Sequence, residues 1–270
     1  MKLEGKVAIV AGGGQGLGQG IVHCLAEEGA DVAVIDINKD TASKVAGEVK
    51  ALGRKSLAVA IDATDSKQVN QAVQEILGNF GKIDILVNVV GGIGKTTWAR
   101  DSLEFIDQAE IEWDETFALN LKSHVLMCLA VVPHFLKQQS GKIVNVSSIG
   151  GKLPAPKNMI YGAAKAADIY FTKALAMDLA EQNINVNCIC PGVIYTPLWE
   201  RGTAYYIRLI PQAKGLKPRE YFDKFLVSSV PQKREQTPED MGRAVVFLVS
   251  EDAKNITGQS LNVDGGRVMD

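Results

Sequence analysis

Three residues of this chain could do proton chemistry together: Ser148, Tyr161 and Lys165. They lie in the segment SSIGGKLPAPKNMIYGAAK, which is otherwise apolar and rich in glycine. Tyr161 and Lys165 are four residues apart, a spacing that puts two side chains on one face of a helix. A phenol is a weak acid with an ordinary pKa of about 10. An ammonium beside it favours the phenolate. A fall of roughly three units needs on the order of 4 kcal/mol, which two nearby cations in a partly dry site can provide. A tyrosine so tuned can take a proton from an alcohol near neutral pH. The alternative is an incidental pair on a helix surface.

A second group of residues could hold a phosphate. The run AGGGQGLG follows an apolar stretch and contains Gly12, Gly16 and Gly18 in the spacing GxxxGxG. Glycines let the turn bend and let a ligand approach the backbone. The free amides at the start of the following helix would then face an anion. Asp36 lies 20 residues after Gly16, at the end of the next apolar stretch. A carboxylate there would accept hydrogen bonds from the adenosine ribose hydroxyls of a dinucleotide and repel a 2′-phosphate. Gln15 stands where a basic side chain could attract that phosphate. The cofactor expected is therefore NAD rather than NADP. Asp36 could instead be an ordinary polar residue ending a strand.

The elements that must position these groups alternate strand and helix. KVAIVAG, DVAVIDI, SLAVAIDAT, IDILVNVVGG, GKIVNVSS, INVNCICPG and SLNVDGG read as strands. Helical stretches fall between them, one of them running from about Ile111 to Gln138 with Pro133 interrupting it. The strands are continuous apolar runs, the pattern of strands covered on both faces. This predicts a single-domain α/β fold over residues 1–270, a doubly wound (Rossmann) parallel sheet of about seven strands with helices on both faces. The rhythm breaks between Tyr195 and Gln236. A segment of that length and composition inside a compact fold reads as a lid over a site.

Composition excludes other classes. Lys and Arg number 29 against 31 Asp and Glu, so no basic field points to nucleic acid. No uninterrupted apolar run approaches a membrane span, and the N-terminal MKLEGKVAIVAGGG does not read as a signal peptide. The cysteines Cys24, Cys128, Cys188 and Cys190 lack CxxC spacing and only three histidines are present, so no metal site is expected. Cys188 and Cys190 read as core residues on one strand face. Free cysteines suit a reducing, cytoplasmic compartment.

Taken together, these features resemble the short-chain dehydrogenase/reductase family. The resemblance runs from Lys6 to Gly266. It rests on Gly12, Gly16 and Gly18, Asp62, NVVGG at Asn88–Gly92, Asn120, the Ser148/Tyr161/Lys165 set, PGVIYT at Pro191–Thr196, and NVDGG near the end. Two features depart from the usual pattern. Ala11 replaces a threonine before the glycine turn, and Val89 and Val90 replace the second Asn and the Ala of NNAG. The resemblance implies Tyr161 as general acid/base, Ser148 as the hydroxyl holding the substrate oxygen, and Lys165 binding the nicotinamide ribose while lowering the tyrosine pKa. It implies Asn120 holding a water that links Lys165 to solvent. The cofactor would meet Gly12, Gln15, Gly16, Leu17, Gly18, Asp36, Asp62, Ala63, Asn88, Pro191, Ile194 and Thr196. Ser147 would be a structural neighbour. Family members usually form tetramers, so a homotetramer is expected through the helices carrying Asn120 and Tyr161.

The substrate is less legible. The Pro197–Glu235 segment holds eight basic and four acidic residues together with Trp199, Tyr205 and other aromatics. It could be an ordinary amphipathic pair of helices. Alternatively, cations such as Arg201, Arg208 and Lys214 could grip an anionic substrate. Trp98, Trp199, Tyr205 and Gly150 are the other candidates for the substrate wall. The tail and the PQKREQ segment are similar to those of NAD-dependent polyol dehydrogenases. The first expectation is therefore oxidation of a secondary alcohol on a polyol, ring or hydroxy acid. The second is reduction of a 3-oxoacyl thioester. A non-catalytic NAD-binding subunit is a third reading, which the intact Ser148, Tyr161, Lys165 and Asn120 oppose.

Overall fold

Strands as apolar as VAIVA can be stable only if covered on both faces, and helices supply that cover. In the computed structural model, which describes residues 1–269, seven strands form one parallel sheet. They are β1 (Val7–Ala11), β2 (Asp31–Asp36), β3 (Ser56–Ala60), β4 (Ile85–Asn88), β5 (Gly141–Val146), β6 (Ile184–Pro191) and β7 (Ser260–Val263). Their order is β3-β2-β1-β4-β5-β6-β7. The order reverses direction between β1 and β4. In such sheets the crevice beyond the strand ends at that point is where a ligand can sit.

Alternate residues of each strand feed opposite layers. Ala8 and Val10 pack with Ile21 and Leu25 of α1 (Gly16–Glu27) and with Met241 and Val245 of α9 (Pro238–Val249). Ile9 and Ala11 pack on the other side, with Ile76 of α3 (Ser66–Phe80) and with Val131 and Phe135 of α5 (Ser123–Gln138). The remaining helices of the alternating part are α2 (Lys39–Ala51), α4 (Glu110–Phe117) and α6 (Met159–Leu179). Local chemistry sets several boundaries. Asp65 caps α3 through the amides of Lys67 and Gln68, and Gly81 ends it at φ 78°. Thr237 and Asp240 cap each other at the start of α9, with Pro238 in the first turn.

Three features differ from the sequence expectation. Pro133 does not interrupt its helix. Buried Val131 and Phe135 hold the helix to the sheet on either side of it, and that packing outweighs the missing hydrogen bond. Second, α4 and α5 are joined through a wide π-type turn at Ala118–Lys122, giving one helix of 29 residues from Glu110 to Gln138. This helix is long and apolar enough to cross a membrane by length and composition, with a mean hydropathy of 1.4. Part of that apolar surface packs against β4, β5, α3 and α6, and 39% of its apolar stretch is buried. Third, the segment between β6 and α9 is largely helical, with α7 (Pro197–Leu209) and α8 (Pro218–Tyr221) packed against each other. The paired cysteines behave as expected, Cys188 and Cys190 packing with Ile149 and Ile169.

Candidate active site

A cleft of about 300 Å³ opens at the C-terminal ends of the strands. Its floor at one end is the turn after β1. Gly12 has a φ of 87°, in the region that favours glycine. A methyl group on Gly18 would lie 1.9 Å from the Gly12 carbonyl oxygen, so the helix can approach the turn only without a side chain there. Gln15 precedes α1 in extended geometry and gives no side-chain cap, so the first amides of the helix stay free to face the cleft.

Asp36 closes the end of β2 on the cleft wall. Its Oδ2 accepts from the Gly14 amide at 2.9 Å and its Oδ1 from the Asn38 amide at 3.0 Å. Asp62 and Ala63 line the same cleft beyond β3, and Asp62 Oδ1 accepts from Thr64 at both the amide and the hydroxyl. Free helix amides, a glycine turn and a fixed carboxylate form a cradle that fits a pyrophosphate with ribose hydroxyls beside it. Gly14 belongs to this cradle, although the sequence does not single it out. A methyl there would meet Asp36 Oδ2 at 2.7 Å. Its place in the glycine run is the signal that points to it.

At the other end stand Tyr161 and Lys165, one turn apart on α6 and both on the cleft wall. Ser148, two residues beyond β5, has its hydroxyl near enough to Tyr161 to favour the phenolate, and its Oγ accepts from the Gly150 amide at 2.9 Å. Lys165 is 3% exposed and its Nζ donates to the Val146 carbonyl at 2.7 Å. Ser147 Oγ donates to the Lys165 carbonyl at 2.8 Å, fixing β5 to α6. Asn120 lies in the wide turn of the long helix. Its Nδ2 donates to the carbonyls of Gly92 and Thr116, and its Oδ1 accepts from the Gly92 amide at 3.0 Å. A methyl on Gly91 would touch both Asn120 Oδ1 and Lys165 Nζ, so these two groups flank one glycine.

The protein's own groups do not lower the tyrosine pKa. The Tyr161 ring borders the cleft, yet protein surrounds it on its other sides, and burial pushes its phenol up to about 12. The Ser148 hydroxyl acts in the opposite sense, and Asp168 and Cys190 add to the rise. Lys165 Nζ is 5.9 Å from the ring centroid. Burial lowers its own pKa, with Asp168 opposing. Burial is the largest influence on the phenol in the protein alone.

A second cavity of about 110 Å³ adjoins the cleft and shares Leu17, Ser147, Tyr161, Thr196 and Leu198 with it. Ser148, Pro191 and Ile194 border this cavity rather than the first. Trp98, Trp199, Ile93 and Tyr206 form its walls, and Asn158 is one of its few polar contributors.

Several expected residues sit elsewhere. Asn88 is fully buried beneath the cleft, donating to Asn145 Oδ1 at 2.9 Å and to the Cys128 sulfur, so it joins β4 to β5 instead of lining the wall. Gly150 does not line either cavity, and its amide holds Ser148 from behind. Tyr205 packs edge-on to Trp98 at 5.6 Å, while Tyr206, one helical step round, takes the cavity wall. Arg201 and Lys214 are exposed. Arg208 donates to the carbonyls of Trp98 and Arg100 and lies over the Tyr205 ring, tying α7 to the loop after β4. Arg219 is paired with Asp223 and Glu235. None of these four cations borders the cavity. Among the described residues no cluster could hold a metal ion.

A family model described as short chain dehydrogenase matches residues 6–205. The chain is 35% identical, over 100% of both proteins, to a 3-oxoacyl-(acyl-carrier-protein) reductase FabG of Thermotoga maritima. It is 34% identical to a 2,3-dihydro-2,3-dihydroxybenzoate dehydrogenase of Bacillus subtilis, over 99% of this chain and 97% of the relative. Among solved structures it resembles NAD+-bound xylitol dehydrogenase with a TM-score of 0.90 at 30% identity, covering 98% of this chain and 100% of the other.

Proposed function

The chain belongs to the short-chain dehydrogenase family, a family of oxidoreductases acting on alcohol and keto groups, and on that premise we propose a specific reaction for it. It interconverts a secondary alcohol and its ketone with NAD(H). One observation carries this reading: Tyr161, with Ser148 beside it, stands on the wall shared by the two cavities. A cofactor in the larger cavity and a substrate in the smaller one would meet there.

In this reading the free amides of α1 and the glycine turn hold the pyrophosphate, Asp36 receives the adenosine ribose hydroxyls, and Lys165 receives those of the nicotinamide ribose. The nicotinamide, when bound, gives or takes a hydride, and in its oxidised form carries a positive charge. Ser148 Oγ holds the substrate oxygen and Tyr161 Oη exchanges a proton with it. Asn120 keeps Gly92, and so the cleft wall opposite α6, in place. Asp36 favours NAD, because a 2′-phosphate would face an anchored carboxylate.

The relatives support the 3-oxoacyl thioester reading better than the polyol reading, since the FabG reductase matches along its whole length. The aromatic walls agree, because they give a polyol few hydrogen-bond partners and suit a carbon-rich ketone. A homotetramer through the long helix and α6 fits the exposed Leu129, Tyr170 and Met177 on those helices. The deciding measurement is the initial rate of NADH and NADPH oxidation with acetoacetyl thioesters and cyclic ketones, alongside NAD reduction with xylitol. Turnover of the ketones with NADH supports the proposal. Preference for xylitol would reverse the choice of thioester over polyol, and preference for NADPH would overturn the NAD(H) assignment.

A further inference from the structure

His124 and Asp168 form a buried pair that the mechanism above does not use. His124 is 1% exposed and Asp168 0%. His124 Nδ1 lies 2.9 Å from Asp168 Oδ1, and His124 Nε2 lies 2.9 Å from the Val90 carbonyl oxygen. Three elements therefore meet at one imidazole: the long helix, α6 and the loop after β4. Each carries part of the site. Asn120 is one turn before His124, Lys165 is three residues before Asp168, and Val90 begins the wall that continues through Gly91 and Gly92.

The bonding pattern counts the protons. A backbone carbonyl only accepts, so Nε2 must carry a hydrogen. The contact between Nδ1 and Oδ1 needs a second hydrogen, since two lone pairs facing each other at that distance would repel. That second hydrogen is shared between the imidazole and the carboxyl, and wherever it lies the pair carries no net charge.

We propose that His124 and Asp168 are positioning residues: a buried imidazole–carboxyl pair that clamps Val90 to α6 and so fixes the cleft wall facing Lys165. The clamp extends the grip of Asn120 on Gly92 by one helical turn. Asp168 Oδ2 has no hydrogen-bond partner among the described residues, so the carboxyl group depends on His124 for its stability in the interior. Other titratable groups facing the pair are Lys165 and Tyr161 on α6, Cys128 on the long helix, and Cys188 and Cys190 on β6. The functional consequence rests on the reading that this cleft binds NAD(H).

Two measurements test the clamp. The first is nitrogen NMR of the intact protein labelled at histidine, with His23→Gln and His134→Gln used to assign the remaining signal. Both ring nitrogens of His124 should give hydrogen-bonded signals, Nδ1 to Asp168 and Nε2 to Val90. A ring nitrogen without a hydrogen-bond partner overturns the proposal, and this result needs no change at the pair itself. The second is NADH binding by fluorescence titration. Asp168→Leu should weaken binding by roughly 10-fold or more, through displacement of the wall. Asp168→Asn, which can still hydrogen-bond Nδ1, should recover a large part of that loss. Equal affinity in wild type and Asp168→Leu would show that the pair does not position the wall. If the wild-type protein itself fails to bind NADH, the cofactor reading fails instead, and the NMR result still stands or falls alone.

Discussion

Asp36 Oδ2 accepts a hydrogen bond from the Gly14 amide at 2.9 Å, so the carboxylate ending β2 is anchored to the turn that follows β1. A second bond from Asn38 fixes its other oxygen. The negative charge is held in position before any ligand arrives. Replacing it with Ala removes both the ribose acceptor and the repulsion of a 2′-phosphate. The ratio of kcat/KM for NADH over NADPH should fall by roughly 10-fold or more in Asp36→Ala. An unchanged ratio would show that discrimination lies elsewhere.

Tyr161→Phe removes one oxygen from the junction of the two cavities. Turnover should fall by about 10²- to 10⁴-fold, the range for loss of a positioned acid/base. NADH affinity should change little by comparison, because the cradle around α1 and Asp36 is intact. Wild-type turnover in the Phe variant would refute the role given to the phenol.

The Tyr161 phenol has a definite signature in pH. Burial raises it to about 12, while a tyrosine in the unfolded chain titrates near 10. Its neutral form thus favours the folded state fully below about pH 10, and that contribution is lost as pH rises through about 12. Tyrosinate absorbance, read as the difference between wild type and Tyr161→Phe, should show this late titration. Adding NAD+ should move it to lower pH, since the cofactor supplies a positive charge. A titration that ignores NAD+ contradicts the shared site.

Deletion of the aromatic walls and deletion of the lid cations should have different results. Trp98→Ala and Tyr206→Ala should raise KM for carbon-rich ketones by about 10-fold or more. Arg201→Ala and Lys214→Ala, whose side chains are exposed away from the cavity, should leave kcat/KM within about twofold. A large loss in the latter pair, measured with an anionic substrate, would restore the view that the lid grips charge.

The four cysteines are all free and buried. Burial raises Cys24 to about 11 and Cys128 to about 12, so neither offers a thiolate at neutral pH. A thiol reagent should react negligibly with the native protein at pH 7 and titrate all four groups after denaturation. Rapid native labelling would contradict the packing around Cys188 and Cys190.

The sheet and the glycine turn were legible because their signals are local. Unbroken apolar runs imply cover on both faces, and glycines between a strand and a helix imply close backbone approach. The adjacency of Tyr161 and Lys165 was legible through spacing, since the two must share a helix face whatever surrounds them. Direction around a helix was harder. Tyr205 and Tyr206 are equivalent in composition, and only tertiary packing decides which one faces the cavity. The family resemblance put Asn88 at the cofactor, yet its partners Asn145 and Cys128 lie far along the chain. The balance of charge and burial at Tyr161 was also beyond the sequence, because the cost of desolvation depends on everything packed around the ring.

The wide turn at Ala118–Lys122 makes this site depend on counting as well as on chemistry. Such a turn absorbs one residue more than ordinary helical winding. Deleting exposed Lys122 would preserve every functional side chain and restore regular winding. The turns on either side, with Glu112 before and His124, Met127 and Val131 after, would keep their phase, because the extra residue is what the wide turn takes up. Asn120 lies inside the turn and would lose the displaced position from which it holds Gly92. The deletion therefore separates folding from the site: the helix should stay in the core while the grip on Gly92 is lost.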